Sequence, residues 1–160
     1  MLKRLTVLAV CILSVSVVEA KDLTSRLGIG VKNSTSMDLP ELAAVYYPNS
    51  DIAVTGGLGI DTKKDESKFA FSAGIRRIVF KEANMNFYMG GSLGLVNMET
   101  QGEKESGFEL KALFGAEFFF TGLDSLAFTF EGGAGVVSTK DVRFRTIADS
   151  PFRAGILFYF

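Results

Sequence analysis

The chain has 160 residues, 48% hydrophobic and 22% charged, with 17 Lys and Arg against 18 Asp and Glu, 17 Gly, one Cys, and neither His nor Trp. A net charge of −1 excludes a basic nucleic-acid-binding surface, and the lack of His excludes most acid–base, nucleophile-with-base and zinc arrangements.

Residues 1–20, MLKRLTVLAVCILSVSVVEA, carry a basic start (Lys3, Arg4), an apolar stretch from Leu5 to Val18, and a small-x-small end at Val18-Glu19-Ala20. The apolar run is about 14 residues, short of the roughly 20 that span a bilayer as a helix. It predicts a cleavable secretory leader, leaving residues 21–160 as one domain. The one cysteine, Cys11, falls inside the leader, so the mature domain is expected to have neither disulfides nor thiolate chemistry.

Beyond the leader the hydrophobic period is 2, not 3.6. Leu27, Ile29 and Val31 open the series, followed by Leu42, Ala44 and Tyr46, which alternate with Glu41, Ala43, Val45 and Tyr47. Next come Ile52, Val54, Leu58 and Ile60, then Phe69, Phe71, Ala73 and Ile75, then Phe87, Met89, Leu93 and Leu95. Phe108 to Phe118, Leu126 to Val136 and Phe152 to Phe160 complete eight predicted strands. Their connections alternate in kind: tight turns at 48–51, 81–84 and 121–125, longer polar links at 33–40, 61–67, 99–107 and 138–150. The pattern predicts successive up-and-down hairpins with turns at one end and loops at the other.

The face opposite the large apolar residues is rich in glycine (Gly28, Gly30, Gly57, Gly59, Gly74, Gly90, Gly94, Gly115, Gly133, Gly135, Gly155) and poor in the Lys and Glu of a wet surface. Glycine in strands marks crowding or curvature, as does the inside of a narrow barrel. Apolar-out, polar-in strands of about 10 residues with alternating turns and loops are the pattern of an outer-membrane barrel. Lipid also requires a closed sheet, because an unpaired edge in hydrocarbon is too costly. The expected fold is an all-β, eight-stranded antiparallel up-and-down transmembrane β-barrel.

The final residues strengthen this expectation. Arg153, Gly155, Phe158 and Phe160 occupy the polar, glycine, hydrophobic and terminal-aromatic positions of a tail that resembles the carboxy-terminal signal of bacterial outer-membrane barrels. Leader, strands and tail together resemble the small eight-stranded outer-membrane β-barrel family over essentially the whole mature chain. The resemblance implies an outer-membrane location in a Gram-negative-type envelope and contact with its lipid and lipopolysaccharide. It also implies handling by the barrel-assembly machinery. The chain departs from the family in lacking Trp, which leaves an aromatic girdle to Tyr46, Tyr47, Phe80, Phe118, Phe119, Phe120, Phe152 and Tyr159. Enzymatic barrels of the lipid-A deacylase, palmitoyl-transferase and omptin types rest on a His that is missing here, so no catalysis and no cofactor is expected.

The glycine strings at 56–59, 90–94 and 132–135 match neither a dinucleotide fingerprint nor a P-loop. The facing aims Arg26, Arg76, Glu117, Glu131 and Arg153 at the lumen, with Lys32, Asp61, Lys68, Glu109 and Lys111 nearer the loops. Charges so enclosed must be paired, which predicts an ion-pair network with Tyr88, Thr55 and Thr129 as hydrogen-bond partners. Strict alternation aims Arg77 at lipid unless a bulge intervenes near Arg76-Arg77. Lys63, Lys64 and Lys104 are candidate contacts to lipopolysaccharide phosphates. The expected role is structural or surface-contacting; the alternatives are a narrow gated pore and a soluble periplasmic lipocalin-like carrier with the facing reversed.

Overall fold

The computed structural model describes residues 21–33, 39–146 and 153–160; the leader, Phe152 and parts of two loops lie outside them. Nine strand segments follow in chain order. They are β1 (Leu27–Asn33), β2 (Pro40–Tyr46), β3 (Ile52–Asp61), β4 (Lys68–Glu82), β5 (Met85–Thr100), β6 (Glu103–Phe119), β7 (Leu126–Ser138), β8 (Val142–Thr146) and β9 (Arg153–Tyr159). Each pairs antiparallel with its neighbour from β1 to β7, and β9 lies between β7 and β1, which closes the ring.

Nine segments make eight staves. β7 pairs with β9 up to Glu131↔Arg153 and with β8 from Ala134↔Thr146 onward, so β8 and β9 are two halves of one stave. Between these two pairings only Gly132 and Gly133 of β7 have no partner on this side among the described residues. β8 lies within the link expected at 138–150, whose Val142-Arg143-Phe144-Arg145 alternation is too short to stand out in a polar stretch.

The second departure is at 99–107, expected as a loop. Thr100 pairs with Glu103, so Gln101-Gly102 forms a two-residue turn between β5 and β6. Both central residues have positive φ, 53° and 84°, as a type I′ turn requires. The charges that read as a solvated link pair across the ribbon instead, Glu99 opposite Lys104.

The facing follows the alternation. Leu42, Val54, Phe71, Ile75, Met89, Leu93, Leu110, Phe114 and Phe158 all point outward and are exposed, while Ala43, Val45, Ala53, Tyr88, Leu113 and Leu157 are buried inside. A carrier with reversed facing would bury the first set; the structure turns it out. The seam between β1 and β9 is closed by backbone contact at Gly30, where an added Cβ would lie 1.8 Å from the Ile156 carbonyl oxygen.

Candidate functional site: the charge-filled lumen

Four of the five expected lumen charges meet inside the barrel. Arg76 on β4 and Glu117 on β6 reach past β5 to an ion pair of 2.8 Å. Two tyrosines bridge them. The Tyr47 hydroxyl accepts from Arg76 at 2.6 Å and donates to Glu117 Oε2 at 3.1 Å. The Tyr159 hydroxyl accepts from Arg76 at 3.0 Å and donates to Glu117 Oε1 at 2.6 Å. The guanidinium also lies 4.3 Å from the Tyr88 ring centroid, a cation–π contact in a desolvated setting.

Tyr88 connects this tier to the next one toward the loops, donating to Glu131 Oε1 at 2.9 Å. Lys32 and Arg153 approach the other oxygen of Glu131 at 3.7 and 3.8 Å, and Lys32 also pairs with Glu41 at 3.4 Å. Lys111 pairs with Glu109 at 2.9 Å. The buried carboxylates Glu41, Glu109, Glu117 and Glu131 thus meet the buried Arg76, Lys111 and Arg153 and the half-buried Lys32. Pairing is what burial of so many charges demands, since each unpaired one would cost several kcal/mol.

Arg26 does not join them. It precedes β1 at the turn end, where it donates to the carbonyls of Asp124 and Tyr159 at 3.1 and 2.9 Å and to the Ser125 hydroxyl at 3.1 Å. It has the inward parity of Gly28 and Gly30 but lies one residue before β1 begins. Of the three expected hydrogen-bond partners Tyr88 serves the network; among the described residues Thr55 and Thr129 make no such bond.

The aromatic girdle also needs correction. Tyr47, Phe119 and Tyr159 are buried inside the barrel, whereas Tyr46, Phe80, Phe118 and Phe120 are exposed outside it. The signal was in the parity: Tyr47 shares a face with Glu41, Ala43 and Val45, and Tyr159 with Arg153 and Gly155. Below the charged tiers these rings join Leu23, Ile78, Ala53, Ala127 and Leu157 in an apolar plug at the turn end.

Leu23 comes from the short segment before β1. Its side chain is 1% exposed, held by Ser25 N–H donating to the Tyr47 carbonyl at 2.7 Å and by a Lys21–Asp124 ion pair of 2.6 Å. The segment stoppers the barrel, a feature the sequence pattern did not reveal.

Arg77 points outward, opposite Ile52 and Met89, and the register shift lies beyond it, between Ile78 and Phe80. It sits at the turn-end rim near Asp51, whose carboxyl is held below its usual range mainly by the Lys81 ammonium bonded to it at 2.8 Å. Of the tail residues, Arg153 and Gly155 face inward, and Phe158 and Phe160 outward.

These features define a closed, antiparallel eight-stave barrel with apolar outer and polar inner faces. In a comparison with solved structures the chain is similar to the crystal structure of the N-terminal β-barrel domain of Pseudomonas aeruginosa OprF, at a TM-score of 0.62. The match covers 86% of this chain and 98% of that one at 11% identity, which shows a shared fold. No protein-family model and no curated protein sequence matches the chain.

Proposed function

We propose that this protein is an integral outer-membrane β-barrel, carried across the inner membrane by the leader at 1–20, with a filled lumen and a structural or surface-contacting role in the envelope. The observation that carries this reading is the outward belt, running from Leu42, Val54 and Ile75 through Leu93 and Phe114 to Phe158. A soluble monomer rarely exposes a contiguous apolar patch of more than a few hundred Å², and a closed sheet satisfies its backbone inside hydrocarbon. The likeness to the OprF barrel domain supports the same reading. Envelope lipid, including lipopolysaccharide, is its expected surroundings, and the outward Phe158 and Phe160 would face the assembly machinery during insertion.

The lumen reads as filler that holds the staves together. Eight strands leave room for side chains and little else, and two tiers of ion pairs cross that space. Fractionation tests the reading. The protein should leave membranes only with detergent and run with heat-modifiable mobility on gels; release by osmotic shock would overturn it. A narrow pore would have to part the Arg76–Glu117 tier, and steady conductance in planar bilayers would favour that alternative.

A further inference from the structure

The segment that stoppers the turn end is tied to the charged tier above it through two residues. Ser25 N–H donates to the Tyr47 carbonyl at 2.7 Å, and Tyr47 N–H donates to the Arg26 carbonyl at 3.2 Å. Arg26 in turn grips the Tyr159 carbonyl at 2.9 Å. The hydroxyls of these same tyrosines hold Arg76 and Glu117 together. Leu23 belongs to one buried apolar cluster with both rings. Each tyrosine thus touches the segment with its backbone and the ion pair with its side chain.

The segment divides into a wedge, a hinge and an anchor. Leu23 is the wedge, and the small Ala43, Ala53 and Ala127 in its cluster, each at most 2% exposed, leave the room that a leucine fills. Arg26 is the anchor, bonded to Asp124, Ser125 and Tyr159. Between them Ser25 has a φ of 62°, a left-handed conformation that a residue with a Cβ holds only when contacts on both sides impose it. Outside the socket the hold is slight. Asp22 and Thr24 are exposed and bond to each other at 2.9 Å. The Asp124 side chain that pairs with Lys21 is 73% exposed, a setting in which ion pairs hold weakly. A segment with one buried side chain and exposed backbone belongs to the low end of local stability.

We propose that residues 21–26 are a strap with two positions, Leu23 seated in the plug or swung out about Ser25, and that the seated strap locks the Arg76–Glu117 tier. Seated, Leu23 backs the two rings and Ser25 holds the Tyr47 backbone, so both hydroxyls stay on the charges. Withdrawal breaks the Ser25–Tyr47 bond, gives the rings room and admits water to the turn end of the lumen. Such coupling is reciprocal, so weakening the tier favours the open strap. The inference concerns contacts inside the barrel and does not depend on the membrane reading.

Amide hydrogen exchange of the full chain refolded in non-ionic detergent, followed residue by residue by NMR, tests it. The Ser25 amide and the Arg26 amide, which donates to the Leu23 carbonyl at 2.9 Å, report the strap. The Leu93 and Leu110 amides, on residues paired across β5 and β6, report global unfolding. Corrected for intrinsic rates, the strap amides should exchange at least about tenfold faster than the strand amides, as local opening implies. Their exchange should respond little to urea, because little surface is exposed. Asp124→Asn should speed the strap amides about two- to fivefold, and Leu23→Ala at least about tenfold. Glu117→Gln should speed them at least about fivefold through the coupling. Without coupling it would destabilise open and seated forms alike and speed Leu93 and Leu110 alone. Tyr159→Phe keeps the ring, drops the hydroxyl and gives the same reading where Glu117→Gln does not fold. The proposal is overturned if Ser25 and Arg26 exchange no faster than Leu93 and Leu110. It is equally overturned if Asp124→Asn and Leu23→Ala leave the strap amides unchanged, or if Glu117→Gln or Tyr159→Phe speeds only the strand amides.

Discussion

Arg76 and Glu117 stand on strands that are not neighbours, yet their side chains meet at 2.8 Å with essentially no exposure to water. The pair is a strut across the barrel, and the hydroxyls of Tyr47 and Tyr159 hold both ends. Removing one partner leaves the other charge buried and unpaired. Glu117→Gln is expected to cost about 3–5 kcal/mol, read as a lower midpoint of denaturant unfolding in detergent. Arg76→Met combined with Glu117→Leu should cost clearly less than the two single changes added together, because no charge is then stranded. Additive losses would show that the pair is not coupled.

Glu131 links the tiers through Tyr88. Glu131→Ala takes from Arg153 its ion-pair partner and leaves Lys32 with Glu41 alone, and is expected to lower the thermal unfolding temperature. Tyr88→Phe removes one hydrogen bond to a charged group and should cost about 1.5–3 kcal/mol. A thermal midpoint unmoved by Glu131→Ala would contradict a supporting role for this tier.

The glycines are not equivalent. At Gly30 a methyl would strike the Ile156 carbonyl oxygen across the β1–β9 seam, while at Gly56 the nearest atom lies 3.9 Å away. Gly30→Ala is expected to cost about 1–3 kcal/mol through overpacking. Gly56→Ala should be neutral or stabilising by about 0.4–1 kcal/mol, since it restricts the unfolded chain. Chemical denaturation of both variants checks the contrast, and equal effects would refute it.

Leu93 is 65% exposed on the outer belt. Leu93→Arg separates the surroundings of that belt. In lipid vesicles it should cost about 2–4 kcal/mol if the residue lies near the bilayer midplane, whereas in water a surface arginine would be close to neutral. A folding yield in vesicles equal to that of the parent would remove the membrane interpretation of the belt.

Asp51 at the turn-end rim titrates below its usual value of 3.8 because Lys81 is bonded to it. A lowered folded-state value means that its stabilising contribution is present at neutral pH and disappears as the pH falls through that value. Lys81→Gln should move the Asp51 titration, followed by carboxyl NMR, back toward 3.8. No movement would show that Lys81 is not the cause.

Strand faces were legible from alternation alone, because a half-step error in register would invert every side chain. Where composition and parity disagree, parity decides the facing. Glu99, Lys104 and Glu105 looked like a solvated loop but alternate as strand residues on a hairpin with a tight Gln101-Gly102 turn. Tyr47 and Tyr159 have the composition of an aromatic girdle but the inward parity, and they are buried. Other features had no local signal. The insertion of Leu23 depends on Tyr47, Phe119 and Asp124 arriving from the ends of β2 and β6 and from the turn before β7. The division of the last stave depends on how β7 shares its edge between β8 and β9.

The seam between β1 and β9 joins residues 28–32 to residues 155–159, the largest sequence separation the barrel contains. Contacts so remote in sequence form slowly, because the loss of chain freedom precedes any gain. Zipping from the first hairpin onward cannot close the ring by itself. One edge of β1 must wait for residues 155–159 to be synthesised and delivered, and until then the polypeptide needs protection from aggregation.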